Sequence, residues 1–85
     1  MPDPIWTVEV APGTGGWTNL KLVVTDRSIR SGRKHWRFGL GWNSEKGRFA
    51  FGSEIGRLGD RFPTVLEEVV DWWGCRQVGQ LETPS

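Results

Sequence analysis

The stretch KHWRFGLGWN, Lys34 to Asn43, alternates strictly. Trp36, Phe38, Leu40 and Trp42 fall on one side, and His35, Arg37, Gly39, Gly41 and Asn43 on the other. Successive side chains of a strand point to opposite faces of a sheet. This run therefore predicts a strand of an antiparallel sheet with one buried and one wet face. The pattern continues in RFAFGS, Arg48 to Ser53, where Phe49 and Phe51 share one side and Arg48, Ala50 and Gly52 the other. Trp36, Phe38, Trp42, Phe49 and Phe51 are accordingly expected in the core. Ser44, Glu45 and Lys46 suit a type I turn, and Gly47 can take the left-handed conformation that closes it, so the two runs form a hairpin.

Upstream, IWTVEV (5–10) and LKLVVTD (20–26) are rich in β-branched and apolar residues and predict two more strands. The glycine-rich APGTGGWTN between them reads as a loop holding Trp17, and RSIRSG (27–32) as a polar connection. Downstream, Gly56 and Gly59 break any regular period in EIGRLGDR. One helix is expected at about 64–73, with Pro63 at its entrance. Thr64 and Glu67 would form a capping box, Asp60 being the alternative cap, and Gly74 stands at the C-terminal cap. Winding it at 100° per residue places Phe62, Leu66, Val69, Val70 and Trp73 on one face and Glu67, Glu68 and Asp71 opposite, with Trp72 beside Val65 off the apolar face. Residues 75–85 suit a short edge strand or a loose tail. The expected fold is a single α+β domain over 1–85: a four-stranded, mostly antiparallel meander sheet with one C-terminal helix packed on one face.

Eighty-five residues with six Trp, four Phe and no Tyr give a modest core built from a few large rings. The single Cys75 excludes an internal disulfide and fits a reducing compartment; with no apolar run of signal or membrane-span length, the expected location is cytoplasmic. Cys75 itself reads as a small buried or half-buried hydrophobe and His35 as a solvent-facing strand residue.

The formal charge is only +1, yet it is unevenly spread. Arg27, Arg30, Arg33, Lys34 and Arg37 crowd one segment without an acid, whereas Glu67, Glu68 and Asp71 cluster near the C-terminus. Two electrically distinct ends are expected. One Cys and one His match no zinc spacing, GLG at 39–41 lacks the third glycine of a dinucleotide fingerprint, and GRLG at 56–59 follows a strand where a nucleic-acid clamp loop joins two helices. KGRFAFG (46–52) is similar in part to the RNA-recognition signature, but Arg48 is inserted and no helix fits between the first two strands. No catalytic, cofactor or metal set is assigned, and the chain is expected not to be an enzyme.

What remains is binding. The leading expectation is a protein that blocks a surface on a protein or ribonucleoprotein complex. Glu67, Glu68 and Asp71 would enter a basic channel there, with Trp72 and Trp17 as apolar anchors. In style it resembles the small inert inhibitors of bacterial defence complexes that phages and mobile elements encode, blockers of CRISPR effectors among them. A second expectation is sequence-nonspecific nucleic-acid binding through Arg27, Arg30, Arg33, Lys34, Arg37 and Arg48. A third is a structural homodimer paired through an edge strand such as the first.

Overall fold

The computed structural model describes residues 4–50 and 52–82, apart from the side chains of 78–82. Its sheet contains β1 (Ile5–Pro12), β2 (Trp17–Thr25), β3 (His35–Asn43) and β4 (Arg48–Phe49) in the order β1-β2-β3-β4, every neighbouring pair antiparallel. Two helices, α1 (Ser53–Arg61) and α2 (Pro63–Glu82), follow. The meander sheet is as the alternation predicts. No helix among the described residues is long and apolar enough to cross a membrane.

Each strand divides its side chains between two faces. Leu20, Leu22 and Val24 of β2 and Trp36, Phe38 and Leu40 of β3 form the covered face, closed from above by Leu58 of α1 and by Val65, Val69 and Trp73 of α2. Leu20, Leu22, Val24, Leu58, Val65 and Val69 are essentially sealed from solvent, and each contributes about 1.5–3 kcal/mol by leaving water. Phe62, between the helices, sets its ring edge-on to Trp36 at 5.5 Å and Phe38 at 6.4 Å. Such geometry suits the positive edge and negative face of aromatic rings. Trp42 meets Phe49 and Trp73 in the same way.

The helical region departs from expectation. Among the described residues of RFAFGS, Arg48 and Phe49 pair with β3, the Ala50 N–H adds one bond to the Gly41 carbonyl, and the chain turns helical at Ser53. Phe51 lies outside the described residues. The segment from 53 to 61 is helix despite Gly56 and Gly59, because Gly59 lets α2 approach: a Cβ there would stand 3.2 Å from the Leu66 side chain. The break at Phe62 comes from Pro63, which disfavours helical geometry in the residue before it. Thr64 and Asp60 therefore sit inside helices rather than at a cap.

Gly74 does not end α2, which runs to Glu82, so 75–82 is neither edge strand nor loose. Residues 83–85 lie outside the described residues. The buried stripe of α2 is Val65, Val69 and Trp73, rotated from the expected one. Leu66 turns to α1 and is half-buried, and Val70 is exposed at 45%. Cys75, expected to be at least half-buried, is exposed.

β2 begins earlier than expected, taking in Trp17. A tight loop permits this: the Gly13 N–H donates to the Trp17 carbonyl at 3.0 Å, and Gly15 and Gly16 take positive φ values of 61° and 82°, which glycine adopts without strain. At the second hairpin Gly47 has φ 66°, as its turn requires, and the Asn43 side chain accepts from the N–H groups of Glu45 and Lys46. The Ser44 N–H and hydroxyl both donate to the Gly16 carbonyl, tying the two hairpin ends together.

Candidate functional site

Among the described residues no helix covers the sheet's second face. Its rows follow from the register: Thr7, Val23 and Arg37 lie abreast, then Glu9, Lys21 and Gly39, then Ala11, Asn19 and Gly41, with Trp17, Asn43 and Arg48 at the far end. Gly39 and Gly41 carry no side chain, so the middle of β3 is a shallow trough with bare backbone. A hollow of about 680 Å³ opens there, walled by Thr7, Glu9, Lys21, Val23 and Arg37. No described residue comes within 4 Å of where a Cβ on Gly39 would stand. Above Gly41 lies the Trp17 indole, close enough that a Cβ would stand 3.4 Å from the ring. Trp17 remains 39% exposed, a large apolar surface beside cations.

Charge separates by layer. Residues 4–52 hold Lys21, Arg27, Arg30, Arg33, Lys34, Arg37, Lys46 and Arg48 against Glu9, Asp26 and Glu45. The helical layer reverses the balance, with Arg57, Arg61 and Arg76 against Glu54, Asp60, Glu67, Glu68, Asp71 and Glu82. Glu9 partly offsets Lys21, its cross-strand neighbour.

The cations singled out from sequence do not form one cluster. Arg37 and Arg48 share the open face with Lys21 and are exposed. Arg30 and Lys34 are exposed in the β2–β3 connection at one end of the sheet, with Arg27 in the same segment. Arg33 is drawn away: its Nε donates to the His35 carbonyl at 3.0 Å, and its guanidinium lies 5.4 Å from the Trp36 ring on the covered side, where Arg61 also stacks at 4.4 Å. In this connection two donors from Ser28, its hydroxyl at 2.6 Å and its N–H at 3.0 Å, hold the Asp26 carboxyl below its ordinary pKa of 3.8.

The acidic set is split as well. Glu67 and Asp71 are exposed on α2, and among the described residues neither has an ion-pair partner. Glu68 accepts a 2.9 Å hydrogen bond from the Trp6 indole of β1. Trp72 is half-buried, its ring 5.9 Å from both Trp6 and Trp73 and capped by the Arg76 guanidinium at 5.6 Å. Trp17 projects from the opposite side of the sheet, so it cannot share an interface patch with Trp72. His35 on β3 and Cys75 on α2 lie in different layers; the His35 ring nitrogen Nδ1 is 3.0 Å from the Thr25 hydroxyl.

Trp17, expected in the loop, instead opens β2, and its place follows from strand parity. Stepping back by two from Lys21 through Asn19 reaches Trp17, the same parity that sets Leu20, Leu22 and Val24 on the other face. Comparison with known proteins found no matching family model, no matching curated protein and no matching solved structure.

Proposed function

We propose that the protein is a non-catalytic binding module whose open sheet face receives a polyanion, best matched by single-stranded nucleic acid. The observation that carries this reading is the combination on one face: the Trp17 ring beside Gly41, 39% of the residue exposed, with Lys21, Arg37 and Arg48 around a glycine trough. Single-strand binders pair a cationic surface that follows the phosphates with exposed rings on which bases stack. Here Trp17 serves as the stacking platform, and the cations and bare Gly39–Gly41 backbone let the strand lie close. Little base specificity is expected, because phosphate contacts carry no sequence information.

A fluorescein-labelled oligothymidylate titrated with the protein tests this. Between about 50 and 200 mM salt the affinity should fall on the order of 20- to 100-fold if three to five phosphates are neutralised. Trp17→Ala should weaken binding by about 1–3 kcal/mol, the worth of one stacked base. Absence of binding at low salt, or binding indifferent to both Trp17→Ala and Arg37→Glu, removes the reading.

One observation favours a second reading, in which the protein blocks a partner complex as a phage-type inhibitor would. Glu67 and Asp71, four residues apart on α2 beside exposed Val70, form an acidic ridge with no ion-pair partner among the described residues. A pull-down with the tagged protein, with and without nuclease, separates the two. Protein captured after nuclease treatment and lost in a Glu67→Lys, Asp71→Lys variant supports the ridge.

A further inference from the structure

We infer that β1 pairs with β1 of a second copy of this chain, centred on Val8, joining two sheets into one of eight strands. The backbone phase establishes which groups are available. The Gly41 carbonyl accepts from the Ala50 N–H and the Gly39 N–H reaches the Glu54 carboxylate, so odd-numbered residues of β3 point away from β2. The Ser44-to-Gly16 and Asp26-to-Lys34 bonds, both between even residues, close the β2–β3 ladder at its two ends. Residues of antiparallel strands alternate between bonded and non-bonded pairs. The β1–β2 ladder therefore bonds through odd residues, as the Gly13-to-Trp17 bond confirms. Trp6, Val8 and Val10 turn their N–H and C=O groups outward from the sheet.

The two edges of the sheet are finished differently. On β3 the Arg33 guanidinium covers the His35 carbonyl, Glu54 covers the Gly39 N–H, and Ala50 and Gly47 occupy the carbonyls of Gly41 and Asn43. On β1 no described residue reaches the outward groups of Trp6, Val8 or Val10. The strand is lightly protected for a free edge: Glu9 is its one charged residue, it has no lysine, and its one proline, Pro12, lies at its end. Of the four exposed large apolar side chains among the described residues, Ile5 and Val10 both belong to this strand.

Self-pairing is specified by residue identity. With Val8 opposite its own copy, Trp6 faces Val10 in both directions, and all three bonded pairs have their N–H donors. On the open face Thr7 then stands beside Glu9, and Ile5 beside Ala11. Sliding two residues one way sets Glu9 against Glu9; sliding the other way sets Val10 against Pro4, which has no N–H. A two-fold axis perpendicular to the sheet through Val8 puts all helices on one side and makes the two cationic faces continuous. The pairing does not depend on the nucleic-acid reading.

Sedimentation equilibrium of the full chain from micromolar to millimolar concentration should show mass rising toward twice the 9.6 kDa of the chain. Val10→Lys, at an exposed position, should weaken the dimer at least about tenfold while leaving the circular dichroism unchanged. Independently, Val8→Cys in a Cys75→Ser background should form a disulfide-linked dimer on mild oxidation, since Cα atoms of a bonded pair stand about 5.5 Å apart, within disulfide reach. Thr7→Cys in the same background should not. A single chain mass at every concentration overturns the proposal. So does a dimer that is indifferent to Val10→Lys and gives no Val8→Cys cross-link.

Discussion

The two faces of the sheet are made by the same strands, one residue out of phase, and they are opposites. Leu22 is sealed beneath the helices; its neighbour Val23 lies on the face that no helix covers. The covered face spends its residues on rings and branched chains, the open one on cations, two glycines and a tryptophan that shields backbone instead of core. One parity of the strands thus builds the core, and the other is left to the uncovered face.

The largest effect is expected where the parity is cleanest. Leu22→Ala should cost about 2–5 kcal/mol by combining lost burial with a cavity, whereas Val23→Ala should cost under about 1 kcal/mol. Urea denaturation of the pair measures both. Equal losses would mean that the open face is also a packing surface, and the two-face division would fail.

The sheet was legible because its information is local: period-two alternation in β3 and a left-handed Gly47 need no knowledge of the rest of the fold. The helices were not. Gly59 and Gly74 look like helix breakers, and propensity does charge each about 1 kcal/mol. Tertiary contact outweighs it, since Leu66 needs the space at Gly59 and Leu58 of the same short helix is fully buried. Trp72 is half-buried for a related reason: its ring packs edge-on to Trp6, 66 residues earlier, a contact invisible to helical periodicity. The candidate site was legible only in part, because Arg33 and Arg37 are four apart in sequence yet serve opposite faces.

A smaller effect distinguishes acids of equal charge. Glu68→Ala removes the acceptor of the Trp6 indole and should cost about 1 kcal/mol. Glu67→Ala, with no such partner, should stay within about 0.5 kcal/mol. If the two variants have the same stability, the Trp6–Glu68 bond contributes nothing and Glu68 rejoins the acidic ridge.

Smaller still, and of opposite sign, is Gly39→Val. Open space surrounds the position, and glycine is a poor strand residue, so the variant should gain about 0.5–1 kcal/mol in stability. The added side chain fills the trough, so oligonucleotide affinity should fall. A more stable protein that binds less would show that the glycine is kept for access to backbone; unchanged affinity would take the trough out of the binding face.

The smallest effect is confined to acid. Asp26 lies where the β2–β3 connection leaves the sheet, and the two Ser28 donors, with a weaker contribution from Arg61, lower its pKa below 3.8. A carboxyl whose folded pKa is depressed adds stability that is present above its unfolded value and is lost as pH falls through the folded one. Wild type should therefore be relatively more stable than Asp26→Asn at neutral pH, and the gap should close only below about 3.8. The carboxylate is open to solvent, though the residue as a whole is half-buried, so the gap is small and salt should narrow the Arg61 part of it. Unfolding curves that stay parallel from neutral pH into acid would show that the Ser28 bonds persist without the charge, leaving the connection held by its backbone alone.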